Sequence, residues 1–392
     1  MQDVVIVAAS RTPQGRILGQ LAPLTAVQLG TIAVSSAIAR SGLGADAVQA
    51  VILGQVLQAG AGQNPARQTA IAAGIGWDVP TVTVNKVCLS GLHAIIDATR
   101  LIRLGEADVV VAGGQESMTN APHVLPGSRK GWTYGTMSAI DSAAHDGLTD
   151  AFDDESMGLS TERHNGRLGL TRAEQDEVAA GSHQRAAAAR ADGRFAAEIA
   201  PVEITGRKGD TTTITEDEGV RAESTVETLG RLRAAFTSDG TITAGNSSPL
   251  SDGAAAVVLT SRAYAEQHGL TVLAVVGASG QTAGPDNSLH SQPSRAIASA
   301  LGKAGWTASD LDHIEINEAF AAVSVQSMRD LGLDPALVNP HGGAIAIGHP
   351  IGASGARLVV HAAHELARRG GGKAAVALCG GGGQGDALLL SL

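Results

Sequence analysis

Cys88 and Cys379 are the two cysteines of this 392-residue chain. A free cysteine is often only a small buried hydrophobe, and two of them make no disulfide framework for a chain of this length. Their surroundings ask for more. Cys88 lies in Val84-Asn85-Lys86-Val87-Cys88-Leu89-Ser90-Gly91-Leu92, where an expected strand gives way to an expected helix. The unpaired N–H groups and positive dipole end of a helix N-terminus are expected to favour a thiolate nucleophile there. Cys379 opens the run Cys379-Gly380-Gly381-Gly382-Gly383-Gln384-Gly385, a strand end that aims a thiol and several backbone N–H groups into one space. A phosphate-cradling loop would need a Lys-Ser/Thr and a following helix; this run has neither and leads into the strand-like Ala387–Leu390.

Two further segments supply complementary groups. His341-Gly342-Gly343-Ala344-Ile345-Ala346-Ile347-Gly348-His349-Pro350-Ile351-Gly352 is richer in glycine than a structural loop requires, and Pro350 suits a helix start. His349 is the candidate base, with His341 second to it. Glu315-Ile316-Asn317-Glu318-Ala319-Phe320 sets an amide and a carboxylate between strand and helix, where they can hold a water or orient a base. Asn-Glu is also ordinary chemistry for a helix start.

These residues need a scaffold, and the pattern around them is α/β. Short β-branched runs (Val4–Ala8, Ala50–Gly54, Val82–Asn85, Asp108–Ala112, Ala255–Leu259, Leu273–Gly277, His313–Ile316, Ala374–Leu378) alternate with helical periodicity over Leu24–Ser41, Gly91–Leu104, Arg172–Arg190, Ser294–Ala304, Ala319–Gly332 and Gly352–Arg369. A faint repeat is visible. Val84-Asn85 precedes Cys88, a helix, a charged turn, a strand and Gly113-Gly114; Val338-Asn339 precedes His349, a helix, Arg368-Arg369-Gly370, a strand and a glycine run. Two similar halves are expected, 1–120 (closing with about 245–270) and 271–392. The polar, turn-rich segment 121–244 lies between them as an inserted loop domain.

Composition bounds the function. A net charge of −10 argues against a nucleic-acid partner. No apolar run reaches the ~20 residues that span a bilayer. Met1-Gln2-Asp3 enters a strand at once, leaving no room for a signal peptide, and Leu390-Ser391-Leu392 is no peroxisomal address. A cytoplasmic protein is expected.

Taken in order, these segments resemble the thiolase family over the whole chain. Cys88 in Val-Cys-x-Ser-Gly, Asn317-Glu318-Ala319-Phe320, Gly348-His349-Pro350-Ile351-Gly352 and Cys379-Gly380-Gly381-Gly382 all match, as do Arg11-Thr12-Pro13 and Ala112-Gly113-Gly114-Gln115-Glu116-Ser117-Met118. The resemblance implies a five-layered α/β/α/β/α fold with an inserted loop domain, usually as a homotetramer. It also implies an acyltransferase of fatty-acid metabolism that joins two acyl-CoA molecules or thiolyses a 3-ketoacyl-CoA.

On matching residues, Cys88 carries the acyl group, His349 activates it, and Cys379 moves the α-proton. Asn317 holds a water beside His349, and the N–H groups of Cys88 and Gly381 form an oxyanion site. Coenzyme A is substrate and product, with no cofactor or metal. Its contacts are implied at Arg221, Ser248, Leu148, Met157 and Phe320. The activity implied first is acetyl-CoA C-acetyltransferase; the alternative is a thiolase for longer or functionalised chains. Ser156 keeps the alternative open, because short-chain members typically carry histidine before this Met-Gly.

Overall fold

A computed structural model describes residues 2–206 and 208–392. In chain order its main elements are β1 (Val4–Arg11), α1 (Ala26–Ser41), β2 (Ala50–Gly54), α2 (Pro65–Ala72), β3 (Thr81–Val84), α3 (Ser90–Leu104), β4 (Val109–Ser117), α4 (Met157–Leu168), α5 (Arg172–Ala191), β5 (Ser251–Ser261), β6 (Ala274–Ala283), α6 (Gln292–Ala304), β7 (His313–Ile316), α7 (Ala321–Leu331), α8 (Ser354–Arg369), β8 (Lys373–Gly380) and β9 (Gln384–Ser391).

Local chemistry sets their ends. Thr25 and Gln28 form a capping box at the start of α1, Thr171 and Glu174 one at the start of α5. Gly105 and Gly370 close α3 and α8 in the left-handed region, which a side chain would oppose.

The strands alternate, apart from a bulge in β1 between Ile6 and Ala8 and one in β6 between Val276 and Ser279. Val4, Ile6, Val110, Ala112, Val257 and Leu259 face one core, while Val5, Val7, Val109, Val111, Ala256 and Val258 face another. In the second half Ala374, Val376, Leu378, Leu388 and Leu390 face the first of these cores, and Ala375, Ala377, Ala387 and Leu389 pack on α6. A period of two with both faces apolar requires a cover on each side. Helices α1 and α2 cover the outside of the first half-sheet, α6 the outside of the second, and α3 and α8 lie between them. This is the five-layered arrangement.

The halves share one pairing scheme. β2 runs parallel to β4, which is antiparallel to β5 and then β1; β7 runs parallel to β8, which is antiparallel to β9 and then β6. They meet edge to edge, Val4 pairing with Val276 and Ile6 with Ala274, so that one path of nine strands runs through both, with the short Gly15–Arg16 strand paired beside it.

The long connection between β4 and β5 leaves the sheet at Ser117 and re-enters beside it, since Ser117 pairs with Asp252. It contains α4, α5 and a hairpin, Val202–Thr205 with Thr211–Ile214. The sequence pattern did not announce that hairpin, because its second strand is polar and largely exposed.

Close approach of α3 and α8 is what the glycines serve. A Cβ on Gly91 would lie 2.9 Å from the Gly352 carbonyl oxygen, and one on Gly355 would lie 2.6 Å from the Leu92 nitrogen. Neither neighbour is a side chain that can swing away. Gly355→Ala is therefore expected to cost ~1–3 kcal/mol by overpacking. Gly302→Ala, in open space on α6, is expected to gain ~0.5–1 kcal/mol from helix propensity. Urea unfolding of the two variants checks the contrast.

Candidate active site

Cys88 sits on a turn that its neighbours force. Val87 has φ = 50°, a left-handed conformation that is strained for a β-branched residue and costs ~1–3 kcal/mol. Three side-chain bonds hold it. Asn85 Oδ1 accepts from the Val87 N–H at 3.0 Å, Ser90 Oγ accepts from the Lys86 N–H at 2.8 Å, and the same hydroxyl donates to the Val87 carbonyl at 2.6 Å. Lys86 Nζ reaches Asp386 Oδ1 at 2.7 Å, fastening the turn to β9.

His349 is held as firmly. Its backbone N–H donates to Ser251 Oγ at 3.0 Å, and its Nδ1 lies 2.6 Å from Ser354 Oγ. That hydroxyl also lies 3.0 Å from the Pro350 carbonyl, which can only accept. With the hydroxyl hydrogen on Pro350, Nδ1 carries the ring proton and donates to Ser354, leaving Nε2 with the lone pair a base requires.

Asn317 Nδ2 is 3.4 Å from both ring nitrogens of His349, which places the amide beside the ring face. Its Oδ1 is buried and has no protein partner among the described residues. Glu318 turns the other way. It accepts from Ser182 Oγ, Asn339 Nδ2 and the Ile345 N–H, so it braces the glycine-rich loop and leaves Asn317 alone at the site.

A pocket of about 390 Å³ receives Cys88 and His349, with Asn317 behind the imidazole and outside the lining. Cys88, His349, Cys379 and Gly381 line it, together with Leu148, Met157, Ser248 and Phe320. Gly381 supplies a backbone N–H to the Cys88 sulfur. Met157 and Leu148 are joined by a backbone hydrogen bond of 2.8 Å, and Ser248 Oγ donates to the Ala319 carbonyl at 3.0 Å. Phe320 meets Phe236 edge-on, with ring centroids 6.4 Å apart. Ser156 lines the pocket too and caps α4 by accepting from the Leu159 N–H. Arg221 is exposed outside this lining, its backbone N–H donating to His183 Nδ1 at 3.2 Å. His341 points away, into the buried side chains behind the loop, and bonds His361 at 2.9 Å.

The electrostatics correct one expectation from the sequence. Burial pushes the Cys88 thiol up to about 12, although its own N–H and that of Gly381 act in the opposite sense. Cys379 is pushed up as well, by burial first and by Cys88 second. Burial, helped by Arg357, takes His349 down to about 3. The helix end therefore does not win. Among apolar side chains the charged forms lose more hydration than a few N–H groups return, and the site rests as two neutral thiols and a neutral imidazole.

Glu116 was visible in the sequence only as part of a longer run. Its carboxylate accepts from the N–H groups of Val56, Leu57 and Gly352 at 3.0, 3.2 and 3.0 Å. It thus ties the end of β4 to the start of α8, two residues before Ser354. Burial raises it to about 7 despite those three donors.

A cysteine turn and a histidine loop at the N-termini of two pseudo-equivalent central helices, with a second thiol opposite, define a nucleophilic-cysteine enzyme of the two-half α/β class. Residues 4–263 match the family description "Thiolase, N-terminal domain" and residues 270–392 "Thiolase, C-terminal domain". The chain belongs to the thiolase family. It is 58% identical over 386 residues to a "Probable acetyl-CoA acetyltransferase" of Mycolicibacterium smegmatis, covering 98% of this chain and 100% of that one. It is 56% identical to a protein of the same description from Mycobacterium tuberculosis, covering 100% and 99%. It is 52% identical to an "Acetyl-CoA acetyltransferase" of Pseudomonas aeruginosa over the full length of both.

With the Cys88 thiol raised to about 12, alkylation of the free enzyme by iodoacetamide is expected to keep accelerating beyond pH 9, where an ordinary thiol of pKa ~8.5 levels off. Mass spectrometry of the Cys88 peptide across pH 7–10 reads this out; a plateau below pH 8 would show that the helix end prevails.

Proposed function

We propose that this enzyme is an acetyl-CoA C-acetyltransferase, catalysing the reversible Claisen condensation of two acetyl-CoA molecules and the CoA-dependent thiolysis of acetoacetyl-CoA. The observation that carries the reading is the convergence of Cys88, His349 and Cys379 on one apolar pocket, with Asn317 beside the imidazole. Full-length relatives described as acetyl-CoA acetyltransferases support the substrate.

Cys88 Sγ attacks the thioester carbonyl while His349 Nε2 takes and holds its proton, and the departing CoA sulfur takes the proton of Cys379, which becomes a thiolate. Because both partners start neutral, proton transfer accompanies attack and no standing thiolate is needed. Cys379, as thiolate, removes the α-proton of the second acyl-CoA. The resulting enolate attacks the acyl–Cys88 carbonyl, the C–C bond forms, and the Cys88 sulfur leaves and regains its proton. Asn317 with His349, and the N–H groups of Cys88 and Gly381, stabilise the two oxyanions. Leu148, Met157, Ser248 and Phe320 pack the pantetheine arm, and Arg221 stands outside for the nucleotide phosphates. The chemistry draws on CoA as substrate and needs no cofactor.

Leu125, Trp132, Tyr134 and Met137, exposed on one polar, glycine-rich segment, offer apolar contacts to further copies in a homotetramer; light scattering tests it. No helix among the described residues is long and apolar enough to cross a membrane, which accords with a cytoplasmic place in acyl-CoA metabolism.

Ser156 favours a second reading. Its small side chain at the pocket lining leaves room for longer or functionalised 3-ketoacyl chains. Thiolysis rates along a chain-length series decide between the two: the first expects kcat/KM to be highest for acetoacetyl-CoA, the second for a longer chain.

Cys88→Ala is expected to abolish the acyl adduct seen by intact mass, and an adduct that persists would unseat Cys88. Cys379→Ala is expected to acylate at near wild-type rate yet lose ~10²–10⁴-fold in condensation. Condensation at wild-type rate would place the base elsewhere.

A further inference from the structure

Behind the glycine-rich loop lies a group of buried imidazoles and carboxylates that the reaction does not use. His313 and Glu315 stand on β7, His361 on α8, and His341 at the head of the loop that ends at His349. Ligand-type atoms of His313, Glu315 and His361 lie within 4.8 Å of one another, and all three residues are buried. Ion pairing accounts for only part of this. Arg357 takes Glu315 Oε2 at 3.3 Å and His313 Nε2 lies 3.1 Å from Glu315 Oε1, while His313 Nδ1 has no hydrogen-bond partner among the described residues. Buried polar groups are normally fully paired, so two imidazoles and a carboxylate packed together in the interior, with His313 Nδ1 left over, require a reason.

We propose that His313, Glu315 and His361 form a site for a zinc-class divalent cation, with His341 as the fourth ligand. The supporting shell is present. His361 Nδ1 is 2.8 Å from Glu198 Oε2, so it carries the ring proton, and Nε2 turns its lone pair toward the cluster. Carboxylate–histidine–metal sites are built in this way. His341 Nδ1 is hydrogen-bonded to that same Nε2 at 2.9 Å, and the two nitrogens would part to about 3.3 Å to share one tetrahedral ion. His313 Nε2 already stands 3.1 Å from Glu315 Oε1, so the two present ligand atoms side by side.

Charge also fits. The carboxylates of Glu315, Glu198 and Asp217 face the guanidiniums of Arg357 and Arg11, which leaves one negative charge over when the imidazoles are neutral. Entry is provided by a surface pocket of about 400 Å³ that reaches His361 between Asp192, Glu198, His364 and Glu365.

The location gives the site its consequence. It joins the strand leading into Asn317 to the loop leading into His349 and the helix leaving it, so an ion there would brace both groups. It would do so independently of which acyl-CoA the enzyme uses.

The test uses a Cys88→Ser/Cys379→Ser background, which removes thiol ligands, stripped with a chelator and titrated with cobalt(II). The expected result is a visible d–d absorption saturating at one cobalt per chain and displaced by zinc. His313→Leu and His361→Gln are each expected to weaken cobalt binding at least tenfold. Zinc is expected to raise the Tm of the background protein and of neither variant. Should either variant fail to unfold cooperatively, Glu315→Gln provides the same comparison. Absence of the absorption, or undiminished affinity in the folded variants, would overturn the site and leave a proton on an imidazole as the balancing charge.

Discussion

The active site depends on two helices touching where their backbones are bare. Gly91 on α3 and Gly355 on α8 face each other's chain at distances that exclude a Cβ, and Gly114 on β4 is in the same position against the Gly352 carbonyl. Because these contacts fall in the first turns, they bring together the segments that precede each helix. Those segments carry Cys88 and His349. In this fold, catalytic proximity is a consequence of glycine placement in the core. The strained turn at Val87 and the Ser354–His349 bond then fix orientation within the space so defined.

That same closeness sets the chemistry. A pocket walled by Leu148, Met157, Phe320 and Ile351 surrounds the thiols with apolar side chains, and burial outweighs the nearby N–H groups in deciding protonation. Resting thiols and imidazole are neutral, and charge appears only as the substrate reacts. On the proposed mechanism, dipoles that are weak against hydration become useful at that stage, since the N–H groups of Cys88 and Gly381 would meet developing charge in a medium with little screening. The pushed-up thiols and the oxyanion site thus share one physical origin.

How much of this the sequence disclosed follows from how far each cause reaches along the chain. Strand alternation, the glycine stops at Gly105 and Gly370, and the cysteine, histidine and asparagine segments are local patterns, and all were legible. The positions of Cys88, His349 and Cys379 in one pocket followed from the repeat and from family resemblance. Glu116 was not legible as a clamp, because its three donors come from Val56, Leu57 and Gly352, two different loops. Nor was the protonation state of Cys88 legible: dipole and charge at a helix end are local, but desolvation is a property of everything packed around the sulfur. Glu318, which sat beside Asn317 in the sequence as a co-worker, proved to bond the loop behind it.

The two halves then divide one design between nucleophile and base. In the first, Asn85 Oδ1 reaches the Val87 N–H and shapes the cysteine turn. In the second, Asn339 bonds both the N–H and the carbonyl of Ile316 and also Glu318, so it secures the asparagine box. The extra residues between Asn339 and His349 form a short helix, Ala344–Ile347, which offsets the histidine from the place its repeat counterpart would take. Strict equivalence would set two like residues at mirrored positions across the glycine contact. The inserted turn breaks that symmetry, and it is this local departure that lets the histidine loop present a base to a pocket whose thiols come from Cys88 on one half and Cys379 on the other.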